Sequence, residues 1–219
     1  MSTPLAWAFL DRLLLPVLLR SLHAVRILGA PTALDATRPL LIVANHASWW
    51  DGFLVQRLAR RLRPVAQLHT IMLERELRRA PFLRHTGALG LVPGSLASTR
   101  SLLKRLHALR RASPELVVQV YPQGRIVPSR RRPLGFQRGV GAIARALVDP
   151  IILPVGLHLE PLNHPRPTAF VVCGPPVPDG RTPSAEELED HVTRGLDRFL
   201  ARIDEAGEHW SDPTQEDPQ

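Results

Sequence analysis

A histidine and an aspartate stand five positions apart in the stretch Asn45-His46-Ala47-Ser48-Trp49-Trp50-Asp51. An imidazole held by a carboxylate is a general base with its tautomer fixed. The carboxylate accepts from one ring N–H, and the other nitrogen takes a proton from a substrate hydroxyl. The carboxylate also stabilises the imidazolium that results. No Gly-x-Ser-x-Gly elbow accompanies the pair, so the nucleophile on this reading is the substrate's own hydroxyl. Plainer roles fit the same residues: Asp51 as a helix N-cap and His46 as a satisfied loop histidine. Trp49 and Trp50 read as packing or interfacial residues.

The two side chains meet only if the backbone changes type between them. A continuous helix sets residues five apart about 140° around its axis. A strand sets them on opposite faces, about 17 Å apart. An apolar run, Pro39 to Ala44, precedes the pair, and a helix-like run, Gly52 to Leu62, follows it. A strand that ends near Ala44 and restarts as a helix near Asp51 brings them together.

A second segment, Val117 to Leu147, also has the look of a site. A buried strand ends at Tyr121, and Pro122-Gln123-Gly124-Arg125 makes a tight turn. Ligand sites of α/β sheets lie at such C-terminal strand ends. Backbone N–H groups near Gly124 and the guanidinium of Arg125 suit an anionic or phosphate-bearing ligand. Arg130, Arg131, Arg132 and Arg138 follow, either as part of that site or as a solvated basic loop.

The elements that must position these residues alternate along the chain. Strands are predicted over 39–44, 64–70, 87–92, 115–121, 151–158 and 168–173. Helices are predicted over 4–28, 51–62, 73–80, 96–111, 137–147 and 184–206, with a long loop at 122–136. This order argues for an α/β fold: a single mixed, mostly parallel sheet flanked by helices. The runs Leu41 to Ala44 and Ile151 to Leu157 are apolar without alternation, as in strands covered on both faces. Ser184 and Glu187 make a capping box for the last helix.

The first 30 residues form an N-terminal amphipathic helix on this reading, followed by one domain over 31–206 and a polar tail over 207–219. Asp11, Arg12, Arg20, His23 and Arg26 fall on one half of that helix. Trp7, Leu10, Leu14, Val17, Val25 and Leu28 fall on the other. Such a helix lies in a membrane interface or docks on the core. No stretch reaches the roughly 18 apolar residues of a spanning helix.

The chain has 219 residues, a formal charge of +8 with Lys104 as the single lysine, and one cysteine. The length suits one α/β domain, and the charge calls for an anionic partner. A lone Cys173 in an apolar run permits no intramolecular disulfide, suits a reducing compartment and reads as a buried inert thiol. No secretory signal is evident. No nucleic-acid motif accompanies the arginines, which argues against a nucleic-acid partner.

Four blocks in order make the chain similar to the 1-acylglycerol-3-phosphate acyltransferases and their glycerolipid acyltransferase relatives. Asn45-His46 through Asp51 resembles the Asn-His-x-x-x-x-Asp signature. Gly87 to Ser95 resembles the acceptor-binding block. Tyr121-Pro122-Gln123-Gly124-Arg125 resembles Phe-Pro-Glu-Gly, with Phe136-Gln137-Arg138-Gly139 after it. Ile152 to Leu157 resembles the Val-Pro-Val strand. The resemblance implies that His46 deprotonates an acceptor hydroxyl, oriented by Asp51, and that the hydroxyl attacks an acyl thioester of CoA or acyl carrier protein. It implies substrate contacts from Asn45, Gln123, Gly124 and Arg125, with oxyanion donors from the turn near Gly124. It implies no metal and no organic cofactor. Partners would be a membrane lipid acceptor and the cytoplasmic face of a membrane, held peripherally by the N-terminal helix.

Two departures touch the acceptor side. The second block reads Pro93-Gly94-Ser95 where the family carries an arginine for the acceptor's phosphate. The third carries Gln123 where the family has glutamate, and Arg125 directly after the glycine. An acceptor other than 1-acylglycerol-3-phosphate, a thioesterase, and a non-catalytic lipid-binding protein are the readings these departures leave open.

Overall fold

The computed structural model describes residues 15–180 and 182–207. Helix α1 (Leu15–Leu19) leads to β1 (Ala24–Leu28), then β2 (Leu40–Ala44), α2 (Asp51–Leu62) and β3 (Leu68–Leu73). Helix α3 (Glu74–Arg79) and a 3-10 turn (Pro81–Thr86) cross to β4 (Leu89–Leu91). Next come α4 (Leu96–Ala112), β5 (Val117–Val120), α5 (Gly139–Leu147), β6 (Ile151–Glu160), β7 (Thr168–Cys173) and α6 (Ala185–Ala206).

The strands make one sheet of seven, in the order β1-β7-β6-β2-β5-β3-β4. Five run parallel, from β6 across to β4. The hairpin β6–β7 is antiparallel, and β1 pairs parallel with β7. The sheet is therefore mixed and mostly parallel, and helices cover both faces. Every residue of β2 and β5 is buried, which explains the unbroken apolar sequence of β2 and the single polar residue, Gln119, of β5. On one face α2 packs Leu54, Val55 and Leu58 over Leu40, Ile42 and Val155. On the other, α4, α5 and the start of α6 pack over Leu41, Val43 and Val118. The rest of α6 covers Leu28 and Phe170 with Leu196, Phe199 and Ile203. Its N-terminus carries the complete Ser184–Glu187 capping box.

One expectation fails at the N-terminal end. The helix read over 4–28 is helical among the described residues only at Leu15–Leu19, and Trp7, Leu10 and Leu14 lie outside them. Ala24–Leu28 is an edge strand. Val25 and Ile27 pack toward α2 while Leu28 packs toward α6, a period of two that also fits a helical wheel over so short a run. Gly29, at φ +64°, ends the strand. A Cβ there would lie 2.7 Å from the Cys173 carbonyl oxygen, so only glycine fits. The sheet therefore begins inside the segment assigned to the amphipathic unit.

The long loop after β5 is laid down on α6. Arg130 pairs with Asp204 and Glu160, and Arg132 pairs with Asp197. The Glu189 carboxylate accepts from the N–H groups of Gly135 and Phe136 at 3.0 and 2.7 Å. Ser129 and His158 lie 2.7 Å apart, and His158 reaches Glu160 at 3.0 Å. Helix α6 thus fixes the segment that carries Gln123 to Arg125.

That helix sits close to β6 at Gly156, where a Cβ would meet Leu196 Cβ at 3.2 Å and Leu196 Cα at 3.6 Å. Gly156→Val must push α6 outward, an overpacking cost of about 1–3 kcal/mol. Thermal or urea unfolding of the variant checks this. An unchanged midpoint would mean that α6 is not held at that distance.

Candidate active site

The β2 backbone ends at Ala44, and α2 begins at Asp51. The break closes the gap between His46 and Asp51. His46 Nδ1 lies 2.8 Å from Asp51 Oδ2. The same oxygen accepts from the N–H of Ala47 at 2.6 Å and of Ser48 at 2.9 Å, and Oδ1 accepts from the Ser48 hydroxyl at 2.6 Å. Asp51 is not the N-cap; Trp50 occupies that position. Its carboxylate reaches back over the loop instead of forward into the helix. A carboxylate that only accepts fixes the proton on Nδ1 and leaves Nε2 as the basic nitrogen. The His46 side chain is 25% exposed and that of Asp51 is 0% exposed, so the imidazole is reachable and its orienter is sealed.

The ends of β2 and β5 and the interior of β6 meet around this histidine. Asn45 is fully buried, and its amide both donates to Leu157 O at 3.0 Å and accepts from Leu157 N at 2.7 Å. It extends the β2–β6 ladder with a side chain. Gln123 is buried too. Its Oε1 accepts from His46 N at 2.5 Å, and its Nε2 donates to Leu134 O at 2.9 Å. Val127 N donates to His46 O at 2.8 Å. The loop after β5 thus holds the His46 backbone on both its N–H and its C=O. The Tyr121 ring stacks on the imidazole, with centroids 4.6 Å apart and planes at 26°.

The structure gathers the predicted residues but sorts them differently. His46 and Asp51 face each other, Asn45 and Gln123 brace them from behind, and Arg125 is exposed. Gly124 adopts φ +64°, and a Cβ there would meet the Gln137 amide at 2.9 Å. Its N–H donates to Tyr121 O at 3.0 Å, so that group closes the turn and is not free to hold an oxyanion. Arg130 and Arg132 serve α6, as described above. In the second block, Ser95 caps α4 by accepting from Ser98 N, and Arg100 is exposed on that helix. Cys173 is buried, and burial pushes its thiol up to about 12, as an inert thiol requires.

Two participants were absent from the sequence reading. Ser48 supplies two of the four hydrogen bonds to Asp51; its signal was the Ser48-x-x-Asp51 spacing ahead of an apolar run, the pattern of a capping box. Tyr121 had no signal beyond its place at the end of β5. Behind the site, burial holds His158 below the usual histidine value, and its two ring nitrogens are occupied by Ser129 and Glu160.

Gln123 carries a prediction that separates bracing from charge. Gln123→Ala leaves the His46 N–H buried without an acceptor, at about 1–3 kcal/mol. Gln123→Glu keeps that acceptor but sets a carboxylate oxygen against the Leu134 carbonyl, and is expected to destabilise as well. Denaturant titration of both variants checks this; stability equal to the parent in Gln123→Ala would remove the bracing role.

Residues 26–158 match the acyltransferase family. Among solved structures, the chain is similar to the 1-acyl-sn-glycerophosphate acyltransferase PlsC of Thermotoga maritima. The TM-score is 0.60 at 24% identity, over 86% of this chain and 74% of that one. That likeness shows the shared fold. No curated protein matches the sequence. With the family matched over more than half its length and the fold shared, the chain belongs to the acyltransferase family.

Proposed function

We propose that the chain moves a fatty acyl group from an acyl thioester, of CoA or acyl carrier protein, to the hydroxyl of a lysophospholipid such as 1-acylglycerol-3-phosphate. The observation that carries this is the His46–Asp51 pair, with its orienting carboxylate sealed and its imidazole open. The acceptor O–H gives its proton to His46 Nε2 as the oxygen bonds to the thioester carbon. The developing imidazolium is held by Asp51. The C–S bond then breaks, the acyl ester is released, and the proton on Nε2 passes to the departing thiolate. The oxyanion needs a donor. The Arg125 N–H, which makes no hydrogen bond among the described residues, takes that role in place of the occupied Gly124 N–H.

The site also supports a membrane-facing placement. The C-terminal ends of β2, β4 and β5, and the start of the oppositely running β1, lie at one edge of the sheet. Eight large apolar side chains are exposed among the described residues. Five of them, Val17, Trp49, Val92, Leu96 and Ile126, follow or precede those ends. Val65 and Val148 lie three residues before β3 and β6, at the opposite edge, and Phe82 lies on the 3-10 turn between β3 and β4. Arg20, three residues from Val17, and Arg125, next to Ile126, are exposed as well. Apolar side chains interleaved with arginines at the mouth of the site suit an anionic bilayer surface. No helix among the described residues is long and apolar enough to cross a membrane.

Two experiments test these readings. With acyl-CoA and a panel of lysolipids, the purified protein is expected to form diacyl product. His46→Ala should lower the rate about 10²–10⁴-fold with unchanged circular dichroism. Full activity in that variant would end the mechanism, and thiol release without any acceptor would point to hydrolysis instead. A panel led by acceptors without a phosphomonoester would move the acceptor away from 1-acylglycerol-3-phosphate. Separately, Trp49 fluorescence should shift to the blue on adding phosphatidylglycerol vesicles, and Trp49→Ala with Ile126→Ala should weaken vesicle co-sedimentation. Unaltered co-sedimentation would place the contact elsewhere.

A further inference from the structure

Strand β5 and the residue that follows it carry two buried polar atoms without partners, the second on the ring stacked against the base. Gln119 is 2% exposed. Its Nε2 donates to Thr70 Oγ1 at 2.6 Å, yet its Oε1 is buried and accepts from no donor among the described residues. Two positions on, the Tyr121 hydroxyl is likewise buried and unpartnered. Residues two apart on a strand share a face. Val117 belongs to the cluster under α2 and Tyr121 packs against it, so Gln119 faces α2 as well. The surroundings there are apolar, with Leu54, Leu58 and Leu68 in the same cluster.

An unmet buried donor or acceptor costs about 1–3 kcal/mol. Two such groups, two residues apart, call for a partner. Gln119 Oε1 can only accept, so the partner must donate. Tyr121 sits where the family pattern has phenylalanine, so its hydroxyl is a feature of this chain. Burial first, and then the nearby charge of Asp51, pushes the phenol well above its usual value; it stays an O–H donor at neutral pH, so the partner must also accept. An ammonium group lacks the acceptor, and a phosphate or carboxylate lacks the donor. A hydroxyl has both. The apolar neighbours suit a hydrocarbon chain, and the Tyr121 ring against His46 sets the Tyr121 end of the pair beside the base.

We propose that Gln119 and Tyr121 form a polar subsite for a hydroxyl near the carbonyl end of the transferred acyl chain, making the protein selective for hydroxylated acyl thioesters. This rests on the acyl-transfer reading above.

The test compares a β-hydroxyacyl-CoA with the unsubstituted acyl-CoA of the same length, in the full chain and in Tyr121→Phe and Gln119→Leu. Each donor is read twice: by transfer to a lysolipid and by the rise in unfolding temperature on binding. The parent is expected to favour the hydroxylated donor about tenfold in kcat/KM, the factor that one hydrogen bond of ordinary strength confers. That ratio should fall toward one in each variant, and the larger thermal shift with the hydroxylated donor should vanish with it. If one variant fails to fold, the other still decides. Transfer of both donors at equal rates, in parent and variants alike, overturns the subsite while leaving acyl transfer standing; an ordered water as the sole occupant gives this result. Larger thermal shifts with the hydroxylated donor and no transfer to any acceptor support the subsite and sink the acyl-transfer reading. No shift and no transfer overturns both.

Discussion

The Asp51 carboxylate is the interaction on which the site depends. It gathers four donors, the His46 ring, the N–H groups of Ala47 and Ser48, and the Ser48 hydroxyl. Buried without them it would be an uncompensated charge, among the most destabilising events available to a core. With them it turns a strand into a helix over six residues. It also fixes which imidazole nitrogen holds the proton. Position at the start of α2 adds the favourable end of the helix dipole. One group thus shapes the loop, seats the histidine and sets its chemistry.

The remainder of the fold holds that loop from behind. Asn45 ties it to β6, and Gln123 and Val127 tie it to the segment after β5. That segment is in turn fastened to α6 through Arg130, Arg132 and Glu189. The ties at Asn45 and Gln123 use buried amides with specific partners, while those to α6 lie nearer the surface, so a shift in one strand end is transmitted to the histidine. Precision of this kind is what a general base needs, because proton transfer tolerates little displacement. The arrangement leaves the imidazole edge and Arg125 as the accessible groups.

Much of this was legible in the sequence because it follows from periodicity and spacing. The unbroken apolar runs of β2 and β6 marked strands covered on both faces, and the helix over 51–62 was bounded by residue pattern alone. Regular structure would keep His46 and Asp51 apart; they could be read as a pair because the apolar run before them and the helical run after them marked a break between strand and helix. What was illegible depended on long-range partners. Asn45 and Gln123 read as substrate contacts until the backbone of Leu157, His46 and Leu134 claimed their amides. Ala24–Leu28 read as helix because five residues with mixed polarity fit either period, and only pairing with β7 decides. The arginines after Gly124 read as ligand-binding or solvated, whereas the acidic face of α6 takes two of them.

The most direct measurement is nitrogen-resolved NMR of the His46 ring in the neutral state. The account requires the proton on Nδ1, hydrogen-bonded to Asp51, and a bare Nε2 facing the substrate side. A proton found on Nε2 would leave no basic nitrogen where an acceptor hydroxyl arrives, and would contradict it.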